Sequence, residues 1–228
     1  STDSVAGDDL YLSIDADLQM ATYLALQNEI AAIVYSNIKS GEIPINDVYT
    51  ALIGNSVINT EHFSKAKASD TEKNVLSVFK SRQKTTLGKI KQELTSSPEA
   101  LNTMSDEVLD EFTYIISMLK DDQVLLKNEI DTSDSVYQKW KNQKISPKEY
   151  LSYCITQHWI DISQLNVDEK YADSTEVYDA LCKYILKNIK TDTEFSKIIY
   201  QYMITRGEIS PRQLCLILFD QGVLDYDD

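Results

Sequence analysis

Helix-start signals recur along this chain and constrain its fold more than any other feature. In a capping box, a Ser, Thr or Asp side chain binds a free amide of the first helical turn, and a Glu or Gln three residues later binds the amide of the cap. Pro147 and Pro211 each follow a cap directly, at the first helical position, where proline is well tolerated. The spacing predicts five starts: Ser69 with Glu72, Ser146 with Glu149, Asp173 with Glu176, Thr191 with Glu194, and Ser210 with Gln213.

The apolar pattern between these starts also favours helices. Apolar residues recur at helical spacing, as at Val108, Phe112, Ile115 and Leu119. Six Gly and four Pro in 228 residues are too few for the many turns of a β-sandwich or barrel. Polar links such as 95–98 are short, and no fixed-period repeat is strong enough to indicate a solenoid. The predicted fold is mainly α, a single multi-helix domain.

The amino-terminal residues show a different pattern. Residues 9–14 alternate between polar and apolar, which predicts a short extended segment. The period changes at Asp15, a candidate cap for a long helix from residue 16 to about residue 40, which Gly41 would end. The predicted organisation is therefore an extended segment over 1–14 and a helical domain over 15–228.

Charge and apolar run lengths exclude two classes of partner. The formal net charge is -14, so most of the surface should repel nucleic acid and anionic membranes. No stretch approaches the roughly 20 apolar residues that a membrane-spanning helix needs. We expect no nucleic-acid partner and no direct membrane insertion by this segment.

Neither a metal nor a cofactor is expected. The two histidines, His62 and His158, are far apart and have no cysteine or carboxylate at metal-ligand spacing. Asp15 and Asp17 begin like a calcium loop, but Met20 and Leu26 replace the Gly and Glu that such a loop requires. Neither a G-x-x-x-x-G-K nor a G-x-G-x-x-G pattern occurs, so no nucleotide site is predicted.

The cysteines are predicted to be buried thiols. The chain has three cysteines, an odd number, and they are far apart in sequence: Cys154, Cys182 and Cys215. This number and spacing argue against a disulfide framework. Each lies among apolar neighbours, where packing is the common role of a free cysteine.

The chain contains no complete catalytic motif. Serine acyl-transfer enzymes combine S-x-x-K, S-x-N and K-[ST]-G, but no S-x-N occurs and the one K-S-G, at residues 39–41, falls at a predicted helix end. The acidic pair Asp121 and Asp122 is also predicted to lie at a helix end, where both side chains are exposed to solvent. No catalytic, cofactor-binding or metal-binding residue is assigned, and the S-x-x-K matches are interpreted as polar helix faces: Ser36, Ser64, Ser77, Ser81 and Ser117.

Two parts of the chain resemble a known family. Residues 7–19, GDDLYLSIDADLQ, are similar to the G-x-D-V-x-L-T-I-D-x-x-L-Q segment that opens the transpeptidase domain of class B penicillin-binding proteins. Ser13 replaces the usual Thr, and Leu10 replaces the usual Val. The residues after Gly41 resemble the large helical insertion of a Gram-positive subgroup, in the phrases at 47–49, 130–134, 157–161 and 218–224.

This resemblance implies a parent enzyme that cross-links peptidoglycan by D,D-transpeptidation through an acyl-serine intermediate. Such enzymes work at the extracytoplasmic face of the cell membrane, anchored by a segment not present here, and are acylated by β-lactams. The motifs of the parent would lie beyond Asp228, so no catalytic residue is carried over. The implied partners are the rest of the parent transpeptidase and other cell-wall synthesis proteins. Three unpaired cysteines agree with this location only in a reducing habitat.

Two functions from different classes follow. The first is a non-catalytic helical insertion that serves the transpeptidase as a scaffold or docking surface. The alternative is a free-standing helical adaptor that binds a partner helix through an exposed apolar groove. An all-α enzyme that uses exposed acids or Tyr hydroxyls has no motif to support it.

Overall fold

A computed structural model describes residues 43–96, 99–168 and 172–225. The chain divides into two compact units, Ser1–Ile43 and Pro44–Asp228, and the described residues other than Ile43 belong to the second. The extended segment predicted at 9–14, the helix predicted from 16 to 40 and the domain boundary predicted after residue 14 lie outside the described residues.

The second unit is built from helices, which confirms the mainly α fold class. In the described ranges, a single antiparallel β-bridge joins Leu125 to Ile160. Three short 3-10 helices span Thr60–Ser64, Leu101–Thr103 and Ile162–Gln164. The eight α-helices of these ranges are α1 Ile45–Gly54, α2 Asp70–Thr95, α3 Asp106–Asp121, α4 Ser135–Lys141, α5 Pro147–Thr156, α6 Ser174–Ile189, α7 Thr193–Thr205 and α8 Pro211–Asp220.

Most of the predicted helix starts are confirmed. Complete capping boxes begin α2 at Ser69, α6 at Asp173 and α8 at Ser210. At the start of α5, the Ser146 side chain accepts the amide of Glu149 at 3.1 Å, which is half of the predicted box.

The start predicted at Thr191 is wrong by one residue. Asp192 caps α7, and its Oδ1 accepts both the Phe195 amide and the Tyr114 hydroxyl at 2.7 Å. The Thr191 hydroxyl donates instead to the carbonyl of Asn188. The carboxylate therefore caps α7 and also accepts a donor from another helix, α3.

The apolar core surrounds the 26-residue helix α2, which packs against α5, α6, α7 and α8. In α3, three residues of the predicted apolar face, Phe112, Ile115 and Leu119, are completely buried. The ring of Phe79 on α2 stacks on Tyr200 of α7, with ring centroids 4.2 Å apart. Burying each such side chain stabilises the fold by about 1.5–3 kcal/mol.

One local structure occurs three times among the described residues, at unequal spacing. We name residues 43–59 cap unit 1, residues 145–161 cap unit 2 and residues 209–225 cap unit 3. Each begins with Ile, continues into a ten-residue helix, and ends with two apolar residues and an Asn or Asp. In each, the residue before the apolar pair has a positive φ: Ser56 at 57°, His158 at 58° and Gly222 at 68°.

Candidate functional site

Four of the five S-x-x-K serines lie in the part of the chain that the structure describes. Ser64, Ser77, Ser81 and Ser117 are all exposed, and no hydrogen bond among described residues joins their hydroxyls to the lysines three positions later. Ser36 lies outside the described residues. The four described serines lie on solvated surfaces, in agreement with the interpretation from sequence.

Two of the cysteines are buried thiols, as predicted. Burial raises the pKa of Cys154 to about 12 and that of Cys182 to about 11. The thiol and not the nucleophilic thiolate therefore predominates at neutral pH. Cys215 on α8 is only partly buried, so the prediction of burial is too strong there.

The tyrosine hydroxyls that contact aspartates connect separate parts of the chain. Burial, together with a hydrogen bond to aspartate, raises the pKa of Tyr114 and Tyr202, which keeps their hydroxyls protonated as donors. Such donors hold helices in register and do not act as bases. The pairs are Tyr114 with Asp192, Tyr153 with Asp134, Tyr184 with Asp122, and Tyr202 with Asp110.

A buried carboxylate, Glu72, gathers donors from three parts of the second unit. Its Oε2 accepts the amide of Ser69 at 2.8 Å, which completes the capping box of α2. Its Oε1 accepts Nδ1–H of His62 at 2.8 Å and Nε2–H of Gln221 at 2.7 Å. Burial alone would raise the pKa of Glu72, but the hydrogen bonds from Gln221, His62 and Ser69 outweigh it and lower the pKa. We name these four residues the Glu72 cluster.

A second polar group lies between α2, α3 and the end of α7. Nη2 of Arg82 donates to both carboxylate oxygens of Glu107, at 2.6 and 2.8 Å. Arg206, which follows α7, donates to Oε2 of the same carboxylate, and Nη1 of Arg82 lies 3.4 Å from Glu208. Glu107 is only 4% exposed. Two guanidinium groups therefore neutralise one buried carboxylate, the arrangement that buried charge requires.

Glu111 adds a second buried carboxyl to this group. It follows Glu107 by one helical turn and is 2% exposed. Burial is the main cause that raises its pKa to about 8, and the negative charge of Glu107 adds to it. Three positive charges lower the pKa of Glu111 but do not cancel the rise: Arg82, Lys89 and Arg206. We name Arg82, Glu107, Glu111, Arg206 and Glu208 the Glu107 cluster.

In the described ranges, three cavities lie on the surface, and no residue of either cluster lines them. A cavity of about 880 Å³ lies along α6 and is lined by Asp179, Lys183, Tyr184 and Lys187, away from both clusters. Among the described residues, no three His, Cys, Asp or Glu side chains are grouped as metal ligands would be. The geometry of the two clusters serves helix packing.

Sequence reasoning did not find these clusters, although one signal existed. The i, i+4 spacing places Glu107 and Glu111 in line with Ile115, on the face of α3 that the apolar residues mark as buried. The Glu72 cluster gave a weaker signal. The capping box predicts the bond to Ser69, whereas Gln221 is distant in sequence.

The large apolar side chains that are most exposed in the described ranges lie on or beside α1 and α8. These two helices pack against each other, and apolar side chains exposed together commonly mark an interaction site. Six large apolar side chains of the second unit, on or beside these helices, are 37–53% exposed, and we name this set the α1–α8 surface: Ile45, Val48, Val57, Leu216, Val223 and Leu224.

Comparisons with known proteins give no independent support for a family. No family model, no curated protein and no solved structure matches the chain. The resemblance of residues 7–19 to penicillin-binding proteins therefore stays a prediction. Within the described ranges, no helix has both the length and the apolar content needed to cross a membrane.

Proposed function

We propose that this chain is a non-catalytic helical module of a class B penicillin-binding protein, in which it acts as a scaffold or docking surface. Its parent would cross-link peptidoglycan by D,D-transpeptidation at the extracytoplasmic face of the membrane. The resemblance of residues 7–19 supports the family, and the α1–α8 surface supports the docking role.

The polar chemistry of the second unit is consistent with a scaffold. The buried carboxylates of the Glu72 and Glu107 clusters bind neighbouring helices, and the described S-x-x-K serines are exposed without a bonded lysine. A nucleophilic serine would require a base within hydrogen-bonding distance. The buried polar groups therefore contribute to stability and the exposed apolar groups to association.

The test is labelling with fluorescent penicillin, applied in parallel to this chain and to the full-length product of its gene. We expect the full-length protein to be labelled and the chain to remain unlabelled. Pretreatment of the full-length protein with unlabelled penicillin is the control, and it should abolish the signal. A covalent adduct on the chain would overturn its non-catalytic role, and a full-length protein that does not label would overturn the family.

A free-standing helical adaptor is the second candidate, and the same α1–α8 surface favours it. The two functions differ in gene structure. A native reading frame that ends near Asp228 favours the adaptor, whereas downstream S-x-x-K, S-x-N and K-[ST]-G motifs in that order favour the transpeptidase.

A further inference from the structure

Helix α2 is basic, although the chain as a whole is acidic. The chain has 36 acidic and 22 basic residues, yet residues 73–92 contain no Asp or Glu, the longest stretch without one. The same stretch contains six basic residues. Two of them belong to the Glu107 cluster or lie near it, since Arg82 binds Glu107 and Lys89 lowers the pKa of Glu111. The other four are lysines on the exposed face of the helix.

These four lysines lie in one line along α2. They follow one another at intervals of seven, four and seven residues, which are close to whole turns of an α-helix. All four side chains are exposed. Because an α-helix rises about 1.5 Å per residue, the line is about 27 Å long. We name this set the α2 lysine stripe: Lys73, Lys80, Lys84 and Lys91.

The α2 lysine stripe has little neutralising charge close to it. Nζ of Lys73 lies 3.9 Å from Oδ1 of Asp70, and both side chains are exposed, so this pair contributes little. Within the described ranges, no carboxylate lies within ion-pair distance of Lys80, Lys84 or Lys91. Three of the four ammonium groups are therefore available to an anionic partner.

Lys148 on α5 extends the positive charge beyond the end of α2. Its Nζ donates to the carbonyl of Thr95 at 2.7 Å, and Thr95 follows Lys91 by about one helical turn. Surface charges are screened over about 8 Å at physiological salt. Acidic groups farther away than this distance therefore contribute little to the potential along the stripe.

The donors of the stripe suit phosphate better than carboxylate. This protein binds the carboxylate of Glu107 with arginine, whose planar guanidinium matches a carboxylate. The stripe contains only lysine, a point charge that commonly binds phosphate. The exposed hydroxyls of Ser77 and Ser81 lie beside the lysines, where they can donate to phosphate oxygens. The two S-x-x-K matches of α2 are thus part of this surface.

The same face of α2 lacks the side chains that usually contact a peptide or a base. Phe79 is the one aromatic residue of α2, and it is buried, so no ring is exposed to stack on a base. The exposed large apolar side chains of the described ranges all lie outside α2, whereas the centre of a protein interface is usually apolar. These features favour a partner that consists of charge and has neither bases nor apolar groups.

We propose that the α2 lysine stripe binds a linear polymer of linked phosphate groups, which lies along the helix axis. A flexible polymer can place a phosphate beside each ammonium group although the lysines are unequally spaced. The release of bound counterions drives such binding. The inference goes beyond the proposed function and does not depend on the family.

The test uses long-chain inorganic polyphosphate labelled at one end with fluorescein, and fluorescence anisotropy with the full 228-residue chain. We expect saturable binding that the double variant Lys80→Gln, Lys84→Gln weakens about tenfold or more, with a salt dependence reduced by about half. The matched control is the double variant Lys183→Gln, Lys187→Gln. It removes the same charge at the same four-residue spacing from exposed positions of α6, and it should bind as the wild type does.

Three results would overturn the proposal. One is the absence of saturable binding to the wild-type chain. Another is an equal loss of binding in both double variants, which would mean that net charge alone controls binding. The third is self-association in sedimentation that the Lys80→Gln, Lys84→Gln variant abolishes, which would make an acidic surface of a second copy the occupant.

Competition experiments separate a phosphate polymer from other anionic partners. Tripolyphosphate at the same phosphate concentration should compete about tenfold less well, because it spans only part of the stripe. Equal competition would overturn binding along the helix. Polyglutamate, oligothymidylate and phosphatidylglycerol vesicles, each at the same charge concentration, should also compete less well. Equal competition by one of these would instead make an acidic peptide, a nucleic acid or a membrane surface the partner.

Discussion

At the scale of single residues, burial changes the chemistry of Glu111 more than its sequence neighbours suggest. A carboxyl with an ordinary pKa of 4.5 holds its proton to about pH 8 in the folded chain. The folded state therefore binds more protons than the unfolded state between these values. Because of this difference, the free energy of unfolding falls as the pH rises from about 4.5 to about 8.

The variant Glu111→Gln tests this effect. Glutamine keeps the shape of the side chain and cannot ionise, so the variant should be more stable than the wild type by about 2 to 5 kcal/mol above pH 8. Its free energy of unfolding, measured by urea denaturation between pH 5 and 9, should lose the decline shown by the wild type. Glu129→Gln is the control, because Glu129 is exposed. Equal pH slopes in wild type and Glu111→Gln would contradict the assignment.

At the scale of helices, the ends share a geometry that the sequence only partly reveals. In six helices of the described ranges, the second residue after the last helical residue has a positive φ. Glycine adopts this conformation without strain, and other residues adopt it at a cost of about 1–2 kcal/mol. Only two of the six are glycine. The residues are Ser56, Gln123, Gln143, His158, Gly207 and Gly222.

Cap units 2 and 3 allow this cost to be measured at equivalent positions. His158→Gly should stabilise the chain by about 1 kcal/mol, and Gly222→Ala should destabilise it by a similar amount. A Cβ at Gly222 would meet no atom within 4 Å, so its effect reports the backbone alone. Urea denaturation measures both changes.

His158→Ala is the control for loss of the imidazole ring. It retains a Cβ at the strained position and should leave the stability close to that of the wild type. If His158→Ala stabilises the chain as much as His158→Gly does, the ring and not the backbone conformation is responsible.

The helix starts could be predicted from sequence, whereas several of the ends could not. Capping residues at 69, 173 and 210 act through neighbours three positions away, so the local sequence contains the whole signal. At Asp192, a hydroxyl from Tyr114 on another helix contributes to the choice of cap, and no local rule includes it. At the ends, Ser56, Gln143 and His158 adopt a positive φ without the glycine that would signal it in the sequence.

At the scale of the whole molecule, some features depend on contacts between residues that are far apart in sequence, and these features could not be predicted from the sequence. The apolar face of α3 could be predicted because helical spacing alone defines it. The Glu107 cluster depends on Arg82 and Arg206, which only the packing of three elements brings together. The α1–α8 surface is also a tertiary property, because it consists of the apolar residues that the core does not cover.

The Glu72 cluster is the clearest example of such a long-range connection. It joins the start of α2 to Gln221 at the end of α8, and Gln221 in turn holds Asn59 after α1. One completely buried carboxylate therefore links the first and last helices of the second unit to the central one. Its lowered pKa means that this contribution is present above about pH 4.5 and is lost as the pH falls through the lowered value.

Glu72→Ala and Glu176→Ala separate this connection from ordinary helix capping. Both residues close a capping box, but Glu72 is completely buried and Glu176 is exposed. Glu176→Ala should cost about 0.5–1 kcal/mol, the value of one cap interaction. Glu72→Ala also leaves donors from Ser69, His62 and Gln221 without their acceptor, so it should cost about 2–4 kcal/mol. Urea denaturation at pH 7 compares the two, and equal losses would mean that Glu72 contributes to capping alone.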